Sequence, residues 1–316
     1  EDFLSFMQKL PRCFVGLEAC SGSNYWGKQL RDLGFEVKIM SARHVKPFVT
    51  NQKNDAADAQ ACCEAARRKN IRVVEIKTTE QQTLSIIHNA RESAMQQRIR
   101  VANQARAILA EFGIVIPQSI EKVSFRITDY FDKNPLCLPQ IAKAQVLYLL
   151  EDLARHTLRA AELEKQIAIH HKDDADFKRL LSIPGIGVIT ASAILMIIGN
   201  PSRFRNGRAF AAYLGLVPSQ FSTGGKTILG KITKVGNRYL RKLLVQGGVS
   251  LLRQMHSKKN AHRYETILPK LRKHSTKENA VMLANKNARI AWALLVKQTT
   301  FKPNHISVPV VWLKAA

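Results

Sequence analysis

The chain is poor in acids, aromatics, cysteine and backbone breakers: 24 Asp and Glu, 7% aromatic residues, five Cys, 16 Gly and 11 Pro among 316 residues. So few Gly and Pro beside 46% hydrophobic residues exclude a collagen-like or disordered chain. The cysteines, Cys13, Cys20, Cys62, Cys63 and Cys137, are odd in number and irregularly spaced. That excludes a disulfide scaffold and a Cys-based zinc site, and it places free thiols in a reducing cytoplasm. Sparse aromatics argue against a stacking platform for single strands. The 23 uncharged residues from Leu180 to Ser202 are interrupted by Pro184, Gly185 and Gly187, leaving an apolar helix from about Val188 to Ile198. Such a helix is too short to span a bilayer, so a membrane is not an expected partner.

What the chain has in excess is positive charge. Its 49 Lys and Arg leave a formal net charge of +25, which points to a polyanionic partner. The excess is uneven, because from Ser222 onward 19 Lys and Arg face two acids, Glu265 and Glu278. A strongly basic C-terminal region that meets phosphate is therefore joined to a region with another task.

Short β-rich runs at Cys13–Leu17, Phe35–Met40 and Arg72–Ile76 alternate with helical stretches around Tyr25–Leu33, stopped by Gly34, and Asp55–Lys69. This predicts a parallel α/β domain over 1–77, with a leading helix at Glu1–Leu10. From Thr79, paired with Gln82 as a capping box, apolar or small residues sustain one helix to Gly113. After a link punctuated by Pro117, Pro135 and Pro139, a second long helix runs from about Gln140 to His171, so 78–172 reads as a coiled-coil helical hairpin. Residues 173–316 form a basic region, predicted α-helical, with helices near Arg238–Arg253 and Ala280–Gln298.

Three groups of residues carry chemistry. Glu18 follows directly on the first strand, at the end where open α/β sheets place their sites. Asp55 and Asp58, within Lys53-Asn54-Asp55-Ala56-Ala57-Asp58-Ala59, share one face of a helix start. Convergent carboxylates suit Mg²⁺, although acids in a helix's first turn also stabilise the helix by themselves. Ile183-Pro184-Gly185-Ile186-Gly187 lies between two apolar helical stretches, similar to the helix-hairpin-helix of proteins that grip DNA backbones, or equally an ordinary Pro-Gly connection. Ser222-Thr223-Gly224-Gly225-Lys226 places a hydroxyl in a Gly-rich turn beside Lys, which a nucleophile approaching a bulky phosphodiester needs and which a polar loop would also show. It lacks P-loop spacing. His156, His170, His171, His256, His262 and His274 have no zinc spacing and read as surface or phosphate-facing, while Trp26, Trp292 and Trp312 read as packing residues.

In order and spacing, Leu17 to Gly22, Lys53 to Ala59, the long helices, Ser182 to Gly187, and Phe210 to Pro218 leading into Ser222 to Lys226 resemble the DEDD-type insertion-sequence transposases. These are the IS-one-ten family, and Ser-Thr-Gly-Gly-Lys looks most like its IS-eleven-eleven branch. The resemblance implies an RNase H-like (RuvC-like) N-terminal domain, a coiled-coil linker and a C-terminal transposase domain. It further implies Mg²⁺ on Glu18, Asp55 and Asp58, and Ser222 as the serine that attacks DNA, with Thr223 exchanged for it by a one-residue alignment shift. DNA contacts would come from Gly185, Gly187, Lys226, Lys231, Lys234, Arg238, Arg241 and Lys242. A structured guide RNA and a homo-oligomer, dimer or tetramer, are implied partners. The family's first Asp precedes its Glu on an earlier strand, and nothing upstream of Glu18 supplies it, Asp2 being too close and in a helical context. Together with the opening at Glu1 without Met, this leads to the expectation of a chain truncated before the sheet's fourth strand, and to an alternative reading as an inactive remnant that only binds DNA or RNA. A third reading, a helix-hairpin-helix repair nuclease, leaves the Ser222 segment unexplained.

Overall fold

The computed structural model describes residues 2–49, 54–256, 271 and 274–302, and these fall into two units, Glu1–Gln82 and Thr83–Ala316. Lys53, His262 and Trp312 lie outside the described residues.

The first unit runs α1 (Asp2–Lys9), β1 (Phe14–Glu18), α2 (Ser23–Asp32), β2 (Glu36–Met40), α3 (Ala42–Val45), α4 (Asp55–Arg67) and β3 (Val73–Val74). Period-two alternation sends Phe14 and Met40 to one face, where they meet Ala61, Ala65 and Ala66. It sends Val15, Leu17 and Val37 to the other, against Met7 and Leu30. Helices thus cover both faces of a small sheet. Gly34, at φ 88°, ends α2 as expected, with the Phe35 N–H reaching the Leu30 carbonyl at 3.0 Å. One expectation fails: β1 and β2 are parallel, but β3 pairs antiparallel with β2 through two residues, so the sheet is mixed.

The second unit begins within α5 (Thr79–Glu111), whose capping box sits one residue earlier than the spacing predicts. The Gln81 N–H donates to Thr78 Oγ1 at 3.1 Å and the Thr78 N–H to Gln81 Oε1 at 3.0 Å. Between α5 and α7 (Gln140–His170) the Pro-punctuated link contains a further helix, α6 (Ile120–Lys133), where the sequence predicts only a connection. Its Val123, Ile127 and Phe131, four apart, close a core with Ala105, Leu109, Val146, Leu149 and Leu153.

The basic region follows as α8 (Ala175–Leu181), α9 (Val188–Ile198), α10 (Gly207–Tyr213), β4 (Pro218–Thr223), β5 (Lys226–Ile232), α11 (Arg238–Met255) and α12 (Thr276–Lys297). It is not all helical as predicted, since β4 and β5 form an antiparallel hairpin. The apolar α9 is a core helix, packed with Phe210, Leu214, Leu240, Leu244, Ala284 and Ala288. Among the described residues no helix is long and apolar enough to cross a membrane. Along α12, three buried asparagines tie down carbonyls of other segments: Asn279 that of Leu271 at 2.8 Å, Asn285 that of Leu216 at 3.0 Å, and Asn287 that of Pro184 at 2.9 Å. Buried amides of this kind replace hydrogen bonds to water and specify where each segment docks.

Candidate functional site

In the first unit the site begins at Gly16. A Cβ there would stand 2.7 Å from the Ala66 Cβ and 3.1 Å from the Cys62 carbonyl, so the bare glycine lets α4 press against β1. Glu18, two residues on, faces the same side of the sheet, and Asp58 is one helical turn before Cys62. Both carboxylates therefore lie toward one end of the helix–strand contact. They line a cleft of about 630 Å³ with Val45, Val49, Arg43 and Lys46. The thiol of Cys62 is pushed up by burial first and then by the negative charge of Glu18, Cys63 and Asp58.

Asp55, the first residue of α4, is exposed and is not among the described residues of the lining. The helix start itself is capped by Asn54, which accepts from the Ala57 N–H at 2.8 Å. Among the described residues no group of three or more His, Cys, Asp and Glu is placed to hold a metal ion. Two carboxylates in an open cleft fit Mg²⁺, which binds through one or two carboxylates and keeps waters for a phosphate.

In the second unit, Ser222 and Thr223 end β4 rather than sitting in a loose turn. Ser222 pairs with Thr227 and Thr223 with Lys226. Gly224 and Gly225, at φ 55° and 79°, make the two-residue turn that strand twist favours, and nothing lies within 4 Å of where their Cβ atoms would be. The hairpin's root is the opposite. A Cβ on Gly215 would collide with the Val235 backbone, and one on Gly236 with the Tyr213 carbonyl. Arg241 Nη1 donates to the Leu214 and Val235 carbonyls at 2.9 and 3.2 Å, drawing the same loops together. A clamped root thus carries an open tip, and Ser222 is exposed there, its Oγ accepting from Gln220 Nε2 at 2.8 Å.

The cations named from the sequence divide. Lys226, Lys231, Lys234 and Arg238 are exposed on or beside the hairpin. Arg241 holds the root, and Lys242 pairs with Glu92 of α5. Burial would raise the Glu92 carboxyl, but hydrogen bonds from Lys242 and Gln96 and the charges of Lys242 and Arg91 outweigh it and hold it below the ordinary carboxylate range.

Gly185 and Gly187 also differ. Gly185, at φ 86°, packs on α11, where a Cβ would meet the Gly247 carbonyl at 2.8 Å. Gly187 precedes α9 with open space beside it. The turn between α8 and α9 is therefore fixed on one side and approachable on the other.

His171 corrects the sequence reading, for it is buried rather than surface or phosphate-facing. Its Nε2 lies 2.9 Å from Ser192 Oγ and its Nδ1 3.1 Å from Asp174 Oδ2. Ser192 is shared with His88 Nε2 at 3.0 Å, and His88 Nδ1 meets Tyr239 Oη at 3.0 Å. Burial, then the charge of Arg91, push His88 down to about 4, so it is neutral, and burial pushes the Tyr239 phenol up to about 12. One assignment satisfies every member: Tyr239 donates to His88, His88 to Ser192, Ser192 to His171, and His171 to Asp174. The Ser192–His171–Asp174 part has the order of a hydrolytic triad, but Ser192 is 0% exposed on α9, so the chain of bonds specifies the core and admits no substrate. Sequence reasoning passes over His88 and Ser192, whose partners are scattered along the chain.

Comparisons with known proteins place the chain among transposases. A profile described as the transposase IS116/IS110/IS902 family matches residues 177–265, and a profile of DEDD transposases of the IS110 type matches residues 4–114. A "Probable family 20 transposase" of Pseudomonas aeruginosa is 40% identical over 299 residues, 94% of this chain and 88% of that protein. A transposase for insertion sequence element IS1328 of Yersinia enterocolitica is 35% identical over 300 residues, 94% and 87% of the two chains. One for IS1111A of Coxiella burnetii is 33% identical over 308 residues, 95% and 82%.

Proposed function

The chain belongs to the IS116/IS110/IS902 family of insertion-sequence transposases, and from that premise we propose that it cuts and rejoins DNA by attack of the Ser222 hydroxyl on a phosphodiester. The observation that carries this reading is the exposed Ser222 on a hairpin with a clamped root, an open Gly224-Gly225 tip and Lys226 and Lys231 on the same ribbon. The bond from Ser222 Oγ to phosphorus forms as one phosphorus–oxygen bond to the sugar breaks. The serine gives up its proton, and the departing sugar oxygen ends as a hydroxyl. One ester replaces another, so a second sugar hydroxyl can reverse the exchange and release the serine without ATP. Gln220, bonded to Ser222 Oγ, orients the hydroxyl, and the lysines of the ribbon hold the flanking backbone.

Glu18 and Asp58 are the residues that would hold Mg²⁺, with Asp55 as the third carboxylate implied by the family resemblance. The ion supplies charge neutralisation at the phosphate oxygens when bound. The open side of the Gly185 to Gly187 turn adds contact to the DNA backbone without reading sequence. A structured guide RNA is the second polyanion in this reading, the excess of 49 Lys and Arg over 24 acids supports polyanion binding, and a homo-oligomer is the assembly implied by the family resemblance.

A binding-only protein is the second reading, favoured by the lack, among the described residues, of a three-carboxylate group. Covalent protein–DNA adducts on a cognate element end separate the two. Wild type forms them and Ser222→Ala does not, while Thr223→Ala does. Wild-type protein that binds the end and forms no adduct in Mg²⁺ supports the remnant instead.

A further inference from the structure

The serine hairpin carries a second feature, which the attack on phosphorus does not use. Ser222 lies opposite Thr227 and Gln220 opposite Leu229, and the 2.8 Å bond from Gln220 to Ser222 agrees with their sharing one face of the ribbon. Phe221 lies opposite Ile228 and Thr223 opposite Lys226, so these four occupy the other face. Phe221 and Ile228 form a cross-strand apolar pair that is 67% and 62% exposed. Gly230 is the diagonal neighbour of Phe221, and a Cβ there would stand 3.4 Å from Phe221 Cε2 and 2.6 Å from Ser219 Oγ. One edge of the ring therefore rests over the bare glycine while the remainder faces solvent. Near its tip the ribbon is thus two-sided, with the nucleophile and Gln220 on one face and an exposed aromatic–aliphatic pair beside Lys226 on the other.

We propose that Phe221 and Ile228 are a wedge that stacks on an opened base step of duplex DNA, while the strand crossing the opposite face of the ribbon presents its phosphate to Ser222. Three observations favour DNA as the occupant. No Asp or Glu occurs in the sequence between Asp176 and Glu265, and Lys226 stands on the wedge face itself, so the surroundings complement a polyanion. The Gly224-Gly225 tip is unobstructed, and a two-stranded ribbon is an element that a DNA groove admits. An exposed Phe paired with an Ile has the side-chain chemistry that enters base steps and unstacks them. A second copy of the chain is the poorer occupant. Two side chains fall far short of the roughly 800 Å² that a stable dimer takes from each partner, and the lysines of two such faces would repel.

The wedge rests on the DNA-binding half of the proposed function and not on the identity of the nucleophile. It is therefore tested in a Ser222→Ala background, with aminopurine, a base whose fluorescence rises on unstacking, placed at successive positions of a duplex that carries a cognate element end. Binding of the parent protein should raise the fluorescence at one base step. Phe221→Ala with Ile228→Ala should abolish that rise while binding at low salt persists, because the phosphate contacts are untouched. Both side chains are exposed, so the thermal midpoint should not move. Phe221→Tyr should keep the rise, and so should Leu158→Ala, an exposed apolar change on α7. A rise that persists in the double variant, or a bound parent that shows no rise at any position, overturns the wedge and leaves the proposed function standing. A double variant whose assembly mass without DNA differs from that of the parent shows a protein–protein contact and also overturns the wedge. Absence of DNA binding by the parent overturns the proposed function itself.

Discussion

The carboxylate cleft and the serine hairpin solve opposite problems. In the first unit, Glu18 and Asp58 are brought together by close packing of glycine against alanine, so the site is a consequence of the core. In the second, Ser222 stands well away from the core, on strands exposed along nearly their whole length, and the packing is concentrated at the root. Hard ligands for a small cation need fixed separation, which a packed helix–strand contact provides. A nucleophile that must reach a phosphorus inside a bulky polymer needs open space around a rigid base.

The largest effect should come from breaking that base. Gly236→Ala puts a Cβ into the Tyr213 carbonyl at φ 84°, and steric overlap plus left-handed strain should cost about 3 kcal/mol or more, read as a lowered thermal midpoint. Next is the buried Tyr239–His88–Ser192–His171–Asp174 chain. His88 has an ordinary value of 6.5 and about 4 when folded. Between these values the unfolded chain takes up a proton that the fold resists. The His88 contribution is therefore fully present above pH 6.5 and falls as pH drops toward 4, by about 3 kcal/mol in all. Urea titrations across that window should show the loss, and His88→Gln should flatten it.

Gly16→Val should cost about 2 kcal/mol by pushing α4 off β1, and it should also remove Mg²⁺-dependent adduct formation by separating Glu18 from Asp58. Adducts unchanged in that variant would break the link between packing and site. The smallest effect is at the hairpin tip. Gly224→Ala meets nothing within 4 Å, so only its φ of 55° opposes it, at about 1 kcal/mol. A cost as large as that of Gly236→Ala would erase the distinction between root and tip.

The same contrast explains what the sequence reveals. Glu18 at a strand end and Asp55 and Asp58 at a helix start are legible because β1 alternates between two buried faces and Asn54 caps α4. The hairpin reads as a loop because both faces of β4 and β5 are largely exposed, and without a buried face there is no hydrophobic alternation to detect. The mixed sheet is hidden by the brevity of β3, two residues long. The amphipathic α6 is hidden by flanking prolines, although Val123, Ile127 and Phe131 have helical spacing. The network through Ser192 joins residues separated by up to 151 positions, a pairing that no local pattern carries.

The central claim is that the exposed hydroxyl on the hairpin is the nucleophile. Its most direct test is mass spectrometry of protein incubated with a cognate element end and Mg²⁺. The expected result is a nucleotide-bearing peptide modified at Ser222 that is absent from Ser222→Ala, while DNA affinity is retained. A covalent adduct persisting in Ser222→Ala, or mapped to another residue, would contradict it.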